Sequence, residues 1–167
     1  MDWAPQGDCL ITPAPEASTS MPRVLLPAPD EVQDPQKRQA IQELLKVLEK
    51  GLMVASNSWG LFIQRQRRCQ GRVFWKGFAA PGEAASGKLE RNQCQHVFDA
   101  NAFRVALDHF HRHLGPCPCH QVTLCLGEEL GENESMDDKL ITIQMVQAFA
   151  LRLQKSPVEV ASISLLS

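Results

Sequence analysis

A chain of 167 residues with 44% hydrophobic content holds enough apolar side chain for one core, and one domain is the default. Its formal net charge of −2 supplies no global attraction to nucleic acid, and no stretch approaches the roughly 20 apolar residues of a membrane span. The acidic start Met1-Asp2-Trp3-Ala4-Pro5 does not read as a secretory signal, so the six cysteines read as reduced thiols of a cytosolic or nuclear protein.

Residues 1–33 are rich in proline and small polar residues and read as an irregular lead-in, with one short strand near Val24–Leu26. Asp34-Pro35 has the form of an N-cap and a first-turn proline, Ile41, Leu44, Leu45 and Leu48 share one helical face, and Gly51 offers a left-handed stop. A helix over 35–50 follows. Short β-branched or aromatic runs at 52–55, 61–66 and 72–76, punctuated by Asn57-Ser58-Trp59-Gly60 and Gln70-Gly71, read as an antiparallel meander. Residues 78–87 read as a loop, and 96–98 as a brief strand. Asp99 then caps a helix over 100–114 with the stripe Phe103, Ala106, Leu107, Phe110 and Leu114, ended by Gly115-Pro116.

Val122, Leu124 and Leu126 alternate with polar neighbours as a half-buried strand, and the acidic stretch 127–138 reads as a solvated loop. Ile141, Ile143 and Met145 mark another strand. Val146, Phe149, Ala150 and Leu153 then fall at helical spacing, and Ser156-Pro157-Val158-Glu159 has the form of a capping box opening a short terminal helix. Antiparallel strands flanked by helices make an α+β sandwich.

Three clusters invite chemistry. His109, His111 and His113, followed by Cys117-Pro118-Cys119-His120, carry zinc-type ligands. Yet His111 points away from the other two on a helix, and a one-residue gap between thiols is tighter than structural zinc sites use, so the expectation is no metal and no cofactor. The basic run Gln64-Arg65-Gln66-Arg67-Arg68 suits either a solvated strand end or an acidic or phosphorylated peptide, since guanidinium forks match carboxylate and phosphate. Cys94-Gln95-His96 puts a thiol beside an imidazole with no third group to orient the base. No phosphate loop, nucleophile elbow or His-Glu-x-x-His is present, so no enzyme is expected.

Six blocks in fixed order carry a family signature. They are Gly60-Leu61-Phe62-Ile63-Gln64-Arg65, Cys69-Gln70-Gly71-Arg72-Val73-Phe74-Trp75, Lys88-Leu89-Glu90-Arg91, Val97-Phe98-Asp99, Gln121-Val122-Thr123-Leu124-Cys125-Leu126-Gly127-Glu128-Glu129 and Lys139-Leu140-Ile141-Thr142. Together they resemble the C-terminal association domain of the interferon regulatory factors, from about Cys9 onward and most densely from Gly51 to Ala150. Cys69–Phe74 and Lys88–Arg91 resemble the lymphoid members, whereas Val54-Ala55-Ser56-Asn57 and Gln147-Ala148-Phe149-Ala150 resemble the STAT-partnering member. A tenth, non-mammalian type could blend both.

The resemblance implies a β-sandwich of the Smad C-terminal and forkhead-associated type with flanking helices. It also implies a docking function in interferon-responsive transcription, in the nucleus and cytoplasm, as a homo- or hetero-dimer or with STAT, Ets-type or other interferon regulatory factors. DNA would be read by a separate tryptophan-rich domain. Residues 1–33 then stand as a truncated start and 34–167 as the association domain, in a chain that is a fragment, an isoform or an incomplete gene product. By the same resemblance the partner patch falls at Met53 and Phe62, with Arg65 and Arg67 as charged rim, while a patch arginine is replaced by Leu10. The tail around Ser162 and Ser164 resembles a phosphorylated serine motif, with Ala161 in place of its leucine. The alternatives are a phosphopeptide- or zinc-binding regulatory domain outside this family, or a decoy that docks partners without binding DNA.

Overall fold

The computed structural model describes residues 9–12, 23–48, 51–65, 71–91, 93–129, 139–147, 149–150 and 161–165. In chain order the strands and helices are β1 (Cys9–Thr12), β2 (Arg23–Leu25), α1 (Pro35–Val47), β3 (Leu52–Asn57), β4 (Gly60–Arg65), β5 (Val73–Lys76) and β6 (Ser86–Lys88). They continue with β7 (Gln95–Asp99), α2 (Ala100–His111), β8 (Gln121–Leu126), β9 (Ile141–Val146) and β10 (Ala161–Leu165).

Helix α1 begins as its sequence dictates. The Asp34 carboxylate accepts the Gln36 N–H at 2.9 Å, Pro35 occupies the first turn, and Ile41, Leu45 and Leu48 turn into the core. It ends at Val47 rather than 50, because the Leu48 N–H bonds back to the Leu45 carbonyl in a tighter turn and Gly51, at φ +85°, reverses the chain.

Two five-stranded sheets face each other, ordered β2-β1-β3-β4-β7 and β10-β9-β8-β5-β6. Among the described strands every pairing is antiparallel except that of β1 with β2. Alternate residues of each strand meet between them: Cys9, Ile11, Leu52, Val54, Leu61, Ile63 and Phe98 from one sheet, Val73, Trp75, Val122, Leu124, Leu126, Ile141, Ile143 and Met145 from the other. The helices sit at opposite ends of β4. The Gly71 N–H bonds the Val47 carbonyl near the Arg65 end, and the Ala100 N–H bonds the Trp59 carbonyl at the Gly60 end. The chain is thus an α+β sandwich with flanking helices.

Several elements differ from the sequence reading. The lead-in holds a second strand, β1, whose four residues are all buried; it is stabilised by pairing with β3, about 40 residues on, which proline content nearby does not reveal. The expected meander stops after β4, since β5 crosses to the opposite sheet and pairs with β8. The expected loop ends in β6, and Phe78 bridges to Phe98. Helix α2 ends at His111 rather than 114, and its buried stripe narrows to Ala100, Phe103 and Leu107, leaving Phe110 and Leu114 exposed. The terminal helix is replaced by β10, paired with β9 from Ala161↔Met145 to Leu165↔Ile141. The helix expected through Leu153, the capping box Ser156–Glu159 and most of the acidic loop fall outside the described residues, although Glu128 accepts the Leu140 N–H at 2.7 Å.

Candidate functional site

The β3–β4 hairpin carries two of the expected site residues, Met53 and Phe62. Leu52, Val54, Leu61 and Ile63 point inward, so Met53, Ala55, Phe62 and Gln64 point outward. Register sets Met53 beside Gln64, Ala55 beside Phe62, and Leu10 of β1 beside Met53. Leu10, half-buried Met53 and half-buried Phe62 thus share the outer face, and Arg23 of β2 holds the register position next to Leu10.

Phe62 does not stand alone. Its ring stacks on the His96 imidazole with centroids 4.2 Å apart and planes 11° from parallel. A bulge makes this possible: Leu61 pairs with Phe98, the register slips at Val97, and Phe62 pairs with His96. The His96 Nε2 lies 2.9 Å from the Trp59 carbonyl, to which its N–H donates.

The hairpin tip is held from both sides. The Trp59 N–H bonds Asn57 Oδ1 at 2.8 Å, and the Trp59 carbonyl also accepts the Ala100 N–H at 2.9 Å. From the end of β9, buried Gln147 Nε2 reaches Ser56 Oγ, the Asn57 carbonyl and the Gly60 carbonyl at 3.0, 2.7 and 3.2 Å. Gly60 is required at φ +131°, where a Cβ would lie 1.7 Å from the Phe98 carbonyl oxygen and 3.0 Å from His96 Nε2. Trp59, 61% exposed, projects from this fixed tip.

The other expected site residues separate from this face. Arg65 is 5% exposed and lies on the inward side of β4, in step with Leu61 and Ile63, so it forms no rim. One guanidinium nitrogen donates to the Gly71 carbonyl, and its buried Nε has no hydrogen-bond partner among the described residues. Its aliphatic stem and the partial negative charge at the C-terminus of α1, which Gly71 caps, suit that position. Arg67 lies outside the described residues. Ser162 and Ser164 sit at β10 positions opposite Gln144 and Thr142. His109, His111 and His113 are exposed, and no three His, Cys, Asp or Glu side chains gather to hold a metal among the described residues. Arg72 is engaged by the Gly127 carbonyl at 3.2 Å and by the Phe74 ring. An apolar cleft of about 510 Å³ between α2 and residues 78–81 shares no lining with Met53 or Phe62.

Sequence reasoning missed Trp59, His96 and Gln147. A β-hairpin tip bearing tryptophan was visible as a signal for the first. The bulge that brings His96 to Phe62 and the long-range reach of Gln147 have no local signature.

A family model described as Interferon-regulatory factor 3 matches residues 4–156. Interferon regulatory factor 8 of Gallus gallus is 34% identical over 141 residues, covering 84% of this chain and 32% of that protein. Interferon regulatory factor 9 of Homo sapiens is 36% identical over 158 residues, covering 93% of this chain and 38% of that protein. The chain thus spans about a third of the length of these curated relatives. Among solved structures, the IAD domain of Interferon Regulatory Factor 9 superposes with a TM-score of 0.69 at 36% identity, covering 90% of this chain and 76% of that one. A crystal structure of STAT2 in complex with IRF9 also matches, with a TM-score of 0.68 at 32% identity over 90% of this chain and 83% of that one. With a matched model over most of its length and the sandwich in place, this chain belongs to the interferon regulatory factor family and carries its association domain.

Proposed function

We propose that this domain is a protein-docking module, not a catalyst, of an interferon regulatory transcription factor acting in the nucleus and cytoplasm, and that the face around Met53 and Phe62 receives a STAT-type partner. The observation that carries the reading is an aromatic ring held on the outer face of a doubly anchored hairpin, beside a flexible methionine. A large rigid ring and an adaptable thioether are the side chains that concentrate binding energy in such patches. The likeness to the STAT2-bound relative supports the partner class. Leu10, which is buried, stands where the resemblance expects an arginine, so that position brings no charge to the face. Ser162 and Ser164 are proposed as modification sites on β10.

Phe62→Ala tests the reading by calorimetric titration against STAT2 alongside thermal denaturation. A docking ring loses about 2 kcal/mol of binding with little change in Tm. A core ring instead costs about 3–5 kcal/mol of stability. A large fall in Tm with affinity unchanged in the folded fraction would sink the surface assignment.

A further inference from the structure

We infer that His96 is a positioning residue of this docking face: its imidazole backs the Phe62 ring and fixes the ring's orientation before a partner arrives. The inference rests on the reading of the β3–β4 face as the partner surface. A half-buried aromatic on a sheet face can exchange rotamers, and freezing it on binding costs free energy. Here the ring already lies flat against a second ring at 4.2 Å.

That second ring is itself fixed. Its Nε2 donates to the Trp59 carbonyl, the same oxygen that accepts the first N–H of α2. Gly60 keeps the space open, since a Cβ there would come within 3.0 Å of the imidazole nitrogen. The bulge at Val97 supplies the alignment: with unbroken register Val97, not His96, would stand opposite Phe62. Three separate features (a bulge, a glycine and a shared carbonyl) therefore converge on one ring. The hydrogen bond anchors the imidazole, and the stack transmits that order to Phe62. A ring presented in this way, with Met53 on the neighbouring strand, fits an aliphatic anchor from the partner rather than a charged one.

The experiment titrates STAT2 against the intact chain and its His96→Ala, His96→Phe, His96→Gln and Phe62→Ala variants, each with a melting curve, and adds the His96→Ala/Phe62→Ala double variant. His96→Ala is expected to weaken binding about tenfold, His96→Phe to restore part of it by keeping the stack without the anchoring N–H, and His96→Gln to leave it weak. In the double variant His96→Ala is expected to add nothing to Phe62→Ala, because its effect runs through that ring. Should His96→Ala fail to fold, the comparison passes to Phe and Gln: tighter binding by His96→Phe supports the inference and equal binding overturns it. Wild-type affinity in His96→Ala, a loss that merely follows the folded fraction, or an undiminished loss in the double variant also overturns it, while Phe62→Ala still reports the docking face. If Phe62→Ala binds as the intact chain does, or the intact chain does not bind STAT2, the docking reading fails and the inference falls with it.

Discussion

Arg65 carries a guanidinium to the inward side of a strand, where among the described residues its hydrogen bonding is to the Gly71 carbonyl. Removing that side chain strips a buried carbonyl of its donor and opens a cavity beneath the end of α1. Arg65→Ala is therefore expected to cost about 2–3 kcal/mol of stability, read by denaturant unfolding, with partner affinity of the folded chain unchanged. A rim arginine would do the reverse, slowing association while leaving stability within about 0.5 kcal/mol. The alternation that sends Leu61 and Ile63 inward also sends Arg65 inward, so its burial was legible in the sequence. Residue type points the other way, since a charge favours solvent. Phe62 was legible by the same alternation. Its neighbour His96 was not, because a one-residue slip in β7 exchanges the faces of Val97 and His96 and leaves no trace in residue pattern.

Elements whose chemistry is local were legible, and those completed by distant partners were not. Helix α1 declares its start through Asp34 and Pro35 and its stop through Gly51, all within one short window. Strand β5 looks the same in sequence whether it continues a meander or crosses to the opposite sheet; only its pairing with β8, about 50 residues on, decides. β10 is the sharper case. Its Ala-Ser-Ile-Ser-Leu can be written on a helix, and the open edge of β9 selects the strand. A charge placed opposite buried Thr142 opposes that pairing, so Ser164→Asp is expected to speed amide exchange across residues 161–165. Unchanged exchange and oligomeric state would argue against Ser164 as a switch.

At the scale of the molecule, a net charge of −2 supplies no global attraction to DNA, and Arg65 of the basic run is buried. The isolated chain is expected to show no DNA binding that survives physiological salt. Nanomolar, sequence-selective affinity for an interferon-response element, measured by fluorescence anisotropy at about 0.15 M salt, would overturn this. Strand β10 closes the outer side of β9, whose Ile141-Thr142-Ile143-Gln144-Met145-Val146 is a charge-free hexamer rich in β-branched residues. Such a segment with an open edge is a template for strand addition by another copy of itself. Pairing with β10 thus withholds that edge of β9, and a modification that peels β10 away is expected to open it to strand addition, read as concentration-dependent assembly.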